Sequence, residues 1–123
     1  MAFHEDIFAL ARRNEDFRRE VTTGRQSQVV LMSVPPGEEI GEEVHEGVDQ
    51  TLVFVAGEGQ AILDGVTTPV APNTLYFVPA GTRHNFINTG SEPLKLYTVY
   101  APPEHEPGSV FRTKAEADAA EHH

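Results

Sequence analysis

The 123-residue chain has no cysteine. That absence excludes disulfide frameworks, thiolate zinc sites, thiol nucleophiles and cysteine-held iron–sulfur clusters. Positive charge is also scarce: 9 Lys and Arg stand against 19 Asp and Glu, a formal net charge of −10. Phosphate backbones and anionic lipid surfaces both require a basic face, so neither nucleic acid nor a membrane is an expected partner. No apolar run approaches the roughly 18 residues of a membrane helix, and no basic-then-apolar leader stands at the start. A cytoplasmic protein is the expectation, and any metal must be held by His and carboxylate. What is present suits a folded globular protein: 39% hydrophobic residues, 23% charged residues, 10 Gly and 9 Pro. The length fits one domain over residues 1–123. Its core is expected at about 17–101, with an N-terminal helix or arm over 1–16 and a C-terminal segment over 102–123.

Residues 5–13 place Ile7, Phe8, Leu10 and Ala11 at the spacing of a short amphipathic helix; a flexible arm is the alternative. From Phe17 onward the chain turns to short β-prone runs separated by turn residues. They cover 17–22, 28–34, 44–45, 51–55, 60–63, 75–78, 85–87 and 94–100. Asp64-Gly65 is a hairpin signal, and Pro35-Pro36-Gly37, Pro79-Ala80-Gly81 and Pro102-Pro103 close neighbouring runs. With no helical pattern interposed, this order predicts an all-β sandwich or barrel. A terminal helix is expected over 113–121, where Thr113 and Glu116 have capping-box spacing. His122 and His123 read as a possible expression remnant and carry no chemical argument.

Strand alternation gives Glu43 and His45 a common face, and by the same rule Gln50, Leu52, Phe54 and Ala56 share a face of their strand, as do His84, Phe86 and Asn88 of theirs. Each polar residue alone is weak: a lone strand His is more often hydrogen-bonded or exposed, and Glu43 sits in an acidic run. The intervals are more telling. Gly37 is followed by five residues, Glu43-Val44-His45, four residues, Gln50, six residues and Gly57. Asn73 is followed by five residues, Pro79-Ala80-Gly81, two residues, His84, three residues and Asn88.

This spacing resembles the two motifs of the cupin family across residues 37–88. The resemblance implies a double-stranded β-helix, or jelly-roll barrel, holding one divalent transition metal and often built as a homodimer. It places His45 and His84 as metal ligands. Glu43 stands where the family has its first His, and Gln50 where it has its Glu. Glu43 remains a competent ligand, whereas Gln50 offers only a carbonyl oxygen, directly or through a water, and cannot titrate. Glu43, His45 and His84 have the composition of a two-His, one-carboxylate triad, which suits Fe and equally Mn, Co, Ni or Zn. Asn73, in place of the motif glycine, tolerates a left-handed turn. Gly81 and Asn88 read as turn-formers.

Phe54 and Phe86, with Tyr76 or Tyr100, are expected to line a pocket for a small organic ligand, unless they are plain core residues. His105 lies on a proline-stiffened segment, either at the surface or over the barrel mouth, where it and Tyr76 are the candidates for catalysis. Arg83 should face away from His84 and pair with an acid. Thr51, Val53 and Val55 make the outer strand face apolar, which predicts a second buried surface and a sheet-to-sheet homodimer. Two enzymatic readings follow from the resemblance, dioxygenase-like oxidation, favoured by the triad, and sugar-phosphate isomerisation, disfavoured by the scarcity of Arg and Lys. A non-catalytic metal- or ligand-binding module and a metal-free structural barrel are the alternatives. The acidic charge of residues 38–46, beside the barrel mouth, favours neutral or cationic ligands.

Overall fold

Successive side chains of a strand point to opposite faces, so Val30, Met32 and Val34 enter the main core while Leu31, equally buried, packs in a second cluster on the other face. The protein is described by a computed structural model covering residues 2–121, so His122 and His123 lie outside the described residues. The chain order is α1 (Ile7–Arg13), β1 (Arg18–Thr23), β2 (Gln28–Val34), β3 (Asp49–Ala56), β4 (Gly59–Leu63) and β5 (Val66–Val70). β6 (Thr74–Val78), β7 (His84–Asn88), β8 (Leu94–Ala101), β9 (Val110–Phe111) and α2 (Lys114–Glu121) complete it. The strands form two antiparallel sheets, β6-β3-β8-β2-β1-β9 and β5-β4-β7. Leu52, Phe54 and Leu96 of the first sheet pack with Ala61 and Phe86 of the second in one core. Each fully buried Phe contributes about 2–3 kcal/mol relative to exposure.

Local chemistry fixes the joints. Asp64 and Gly65 take φ of 48° and 83° in the β4–β5 hairpin, the left-handed pair that a two-residue turn demands. β5, which no run in the sequence marked, is mostly exposed and is anchored by Val70. At Gly59 a Cβ would stand 2.2 Å from the Ile87 carbonyl oxygen, so the close approach of β4 to β7 requires glycine. Asn73 adopts φ 68°, as a turn residue in the glycine position should.

The structure corrects one expectation. Residues 44–45 are not a strand; an isolated bridge pairs Glu43 with His84 instead. After residue 101, β9 pairs with β1 and Phe111 packs on the core. Asn88, the buried last residue of β7, forms the turn that follows it, as its side-chain type predicts. Its amide donates to the carbonyls of Val34 and Glu92, both at 2.8 Å, and its Oδ1 accepts from Gly90 N at 2.9 Å. At the C-terminal helix, Thr113 Oγ1 accepts from Glu116 N at 3.1 Å, while Glu116 reaches back to Arg112 N at 3.1 Å.

Candidate metal centre

The bridge that replaces the expected strand brings the ligand-competent residues together. Glu43 N donates to His84 O and His84 N donates to Glu43 O, both at 2.9 Å. Residues paired this way project to the same face, so a carboxylate and an imidazole are set side by side by backbone alone. His45 joins them: Gly81, at φ 85°, donates its N–H to the His45 carbonyl at 2.9 Å. One donor atom from each of Glu43, His45 and His84 falls within 4.8 Å of the others. The His45 and His84 rings are tilted, with centroids 5.3 Å apart.

Hydrogen bonds around the cluster decide which lone pairs it presents. His84 Nδ1 lies 2.8 Å from the Thr82 carbonyl. A carbonyl only accepts, so Nδ1 carries a hydrogen, and the neutral imidazole that a metal requires then presents buried Nε2, which has no partner among the described residues, as its lone pair. Gln50 is fixed by the same logic. Thr98 Oγ1 donates to Thr51 O at 2.9 Å and accepts from Gln50 Nε2 at 3.1 Å. Gln50 Oε1 is thereby left buried and without a partner among the described residues. His45 lies between two acids, with Nε2 3.5 Å from Glu43 Oε1 and Nδ1 3.5 Å from Glu104 Oε1. These separations are long for hydrogen bonds but close enough for charge attraction. Two buried acceptors without partners among the described residues, His84 Nε2 and Gln50 Oε1, lie beside the Glu43 carboxylate and His45 Nε2. They fit a divalent cation that displaces the His45 proton, since burying acceptors unpaired is costly.

The electrostatics agree with that reading. Burial raises the Glu43 carboxyl, but His45, His84 and Arg18 outweigh it and hold its pKa below the ordinary value. Contact with Glu43 lifts the His45 imidazole against the opposing effect of burial, with Glu104 assisting. Burial, reinforced by the Glu43 charge, holds the Tyr100 phenol well above its usual value, so it stays protonated.

The other sequence-derived residues lie around this group. Phe54 and Phe86 are fully buried, with ring centroids 5.4 Å apart, and are core residues rather than walls of an open pocket. Phe86 is 6.1 Å from the His84 ring and supports it from beneath. Tyr76 packs on Phe86 at 5.5 Å, but its hydroxyl donates to Pro69 O at 2.6 Å and meets Thr68 Oγ1 at 2.7 Å. That hydroxyl is committed to β5, away from the cluster. Tyr100 is buried, with its ring edge-on to His45 at 5.9 Å. His105 is half-buried, with its Nε2 shielded and its ring edge-on to Tyr100 at 4.9 Å. Burial, then Arg18, lowers its pKa to about 4. Arg83 pairs with Glu42 at 2.7 Å, as its outward direction predicts.

Sequence reasoning missed Gln28, Thr98, Glu104 and Arg18. Gln28 ties the segment after β8 over the barrel mouth. Its Nε2 donates to His105 O at 2.6 Å, and its Oε1 accepts from Glu104 N at 3.2 Å and His105 N at 3.0 Å. A signal existed for Gln28 and Thr98, since each is the polar member of an inward series, beside Val30 and Met32 or beside Leu94 and Leu96. Glu104 had none.

The chain is similar over 97% of its length to the uncharacterized protein YrkC of Bacillus subtilis, with 44% identity, and it spans 67% of that protein. An oxalate-binding protein of Thermotoga maritima is 31% identical over 55% of this chain and 56% of its own. These chains are thus longer than the region matched. A crystal structure of a Bacillus halodurans protein superposes with a TM-score of 0.95 at 42% identity, covering 97% of this chain and 95% of that one. Residues 30–100 match the cupin domain family, and together with the two facing sheets and the motif-placed cluster, that match makes the chain a member of the cupin family.

Proposed function

We propose that Glu43, His45 and His84 hold one divalent transition metal, with Gln50 Oε1 as a neutral fourth donor, and that this centre acts on a small organic molecule. The observation that carries the reading is the set of buried, uncommitted lone pairs facing one carboxylate. A metal there would supply a Lewis acid with open positions, and the two-His, one-carboxylate composition suits dioxygenase-like oxidation with Fe(II). Fe, Mn, Co, Ni and Zn all fit the donors. Elemental analysis of the purified protein should return about one metal per chain, lost in His84→Ala and His45→Ala; a metal-free wild type after loading overturns the site. Because a metal must displace the proton from the elevated His45, affinity should fall by up to about tenfold per pH unit below that group's titration. Competition titrations with a metallochromic indicator at several pH values measure this.

One observation favours a second reading, a non-catalytic ligand-binding module. Gln50 stands in place of a titratable acid, and its amide is tied to Thr98. The oxalate-binding relative is consistent with it. Oxygen uptake by anaerobically Fe(II)-loaded protein, over flavonoid, thiol and diketone substrates, separates the two. A homodimer through the outer face of the larger sheet belongs to the same proposal.

A further inference from the structure

A second polar cavity lies beside the ligand cluster. Arg18, on β1, pairs with Met32 and Phe111, and its side chain is only 7% exposed. Its guanidinium lies over the Phe111 ring at 5.2 Å. Nη2 meets Glu121 Oε1 at 3.3 Å, but Nε has no partner among the described residues. The same holds for two other buried atoms, His105 Nε2 and Ser109 Oγ. These residues, with Glu121 of α2, line one solvent-open cavity of about 430 Å³. That volume is in the range of small-molecule sites.

A guanidinium is permanently charged and has five donors, so a buried one requires acceptors. Here it has one long contact to a carboxylate whose side chain is 47% exposed. We propose that the cavity binds the carboxylate of a small organic acid, gripped by Arg18 and completed by Ser109 and His105, in the place that Glu121 now shares. A planar carboxylate matches the guanidinium fork and satisfies Nε and Nη2 together. Glu104 and Glu106 also border the cavity and partly offset the Arg18 charge, but the guanidinium is the more deeply buried group, its side chain 7% exposed against 30% for Glu104. The net charge of −10 therefore does not dictate the local preference, contrary to the expectation of neutral or cationic ligands. Tyr100 links this cavity to the cluster, contacting His105 on one side and His45 on the other. Identifying the acid as the substrate rests on the metal-centre reading; the binding itself does not.

Benzoate titrated into the full chain and followed by amide NMR is the test, with benzamide as the uncharged control. Benzoate should bind at least about tenfold more tightly than benzamide, shift the amides near Ser109 and Ala120, and lose about tenfold in Arg18→Met. Glu121→Gln should tighten benzoate by about threefold, because a competing carboxylate is gone. If Arg18→Met does not fold, Glu121→Gln and a weakening in Ser109→Ala carry the test. Equal affinity for benzoate and benzamide, or no tightening in Glu121→Gln, overturns the proposal. So does benzoate binding that survives Arg18→Met but is lost in His84→Ala, because the carboxylate then sits on the metal. His84→Ala that keeps its metal while benzoate binding stays Arg18-dependent overturns the metal-centre reading alone.

Discussion

Protonating His105 in the folded protein places a second cation beside Arg18 in a site that burial has already made hostile to charge. Its pKa falls from 6.5 to about 4, burial contributing most. An unfolded chain takes up that proton near pH 6.5, and the folded one does not until about pH 4. The stability this group contributes is therefore complete above pH 6.5 and is lost as pH falls toward 4. His45 has the opposite sign: its raised pKa contributes stability below pH 6.5 that is lost as pH rises through the folded value. Comparing metal-free wild type with His105→Gln by urea unfolding between pH 7 and 5 isolates the first effect. The wild type should lose stability relative to the variant by up to about 1.4 kcal/mol per pH unit. Parallel pH profiles for the two proteins would show that the fold does not oppose the proton.

At the scale of elements, the cluster depends on pieces that are not regular strands. The Glu43–His84 bridge and the loop carrying Gly81 hold two of the ligand positions, and a strap over residues 102–109 supplies Glu104 and His105. Gln28 is the clasp of that strap. Gln28→Ala leaves the Glu104 and His105 amides and the His105 carbonyl without their partner, each otherwise shielded from water to some degree. The expected cost is about 3 kcal/mol, read from urea midpoints, with faster hydrogen exchange at the amides of residues 104 and 105. Unchanged exchange there would mean the strap is held by other contacts. The alternation of β7 and β8 made much of the barrel legible in advance, because a half-buried strand writes its inner face into every second residue, while β2, buried on both faces, reads as a continuous apolar run. The 44–45 run and β5 misled for opposite reasons. An isolated bridge leaves no periodic trace, and β5 is exposed enough to carry almost no apolar pattern.

For the molecule as a whole, the outer face of the larger sheet divides in two. α1 covers one part, where Ala11 packs with Leu31 and Val55 and with the half-buried Ile7 and Leu10. The chain thus supplies some of the second buried surface that the apolar outer residues demanded. The other part is open: Leu75 and Phe77 on edge strand β6 are 60% and 53% exposed, opposite Val53 and Thr51. A contiguous apolar patch on a sheet edge seeks a partner. If the proposed homodimer uses this patch, Phe77→Glu should shift the protein from dimer to monomer at tens of micromolar in sedimentation velocity. A wild type that sediments as a monomer removes the proposal.

By itself the sequence determined the class of fold, the strand faces and the residue types able to meet a metal, because period and motif spacing are local properties of the chain. The intervals around Glu43, His45, Gln50 and His84 were countable before any fold was known. Only the tertiary structure decided which lone pairs remain free. His84 Nε2 is bare because Thr82 takes the other nitrogen's hydrogen, and Gln50 Oε1 is bare because Thr98 donates to Thr51. It alone placed Arg18 against a strap nearly ninety residues away, where its guanidinium is buried with Nε left without a partner among the described residues. Hydrogen-bond direction and desolvation depend on neighbours distant in sequence, and no local pattern encodes them.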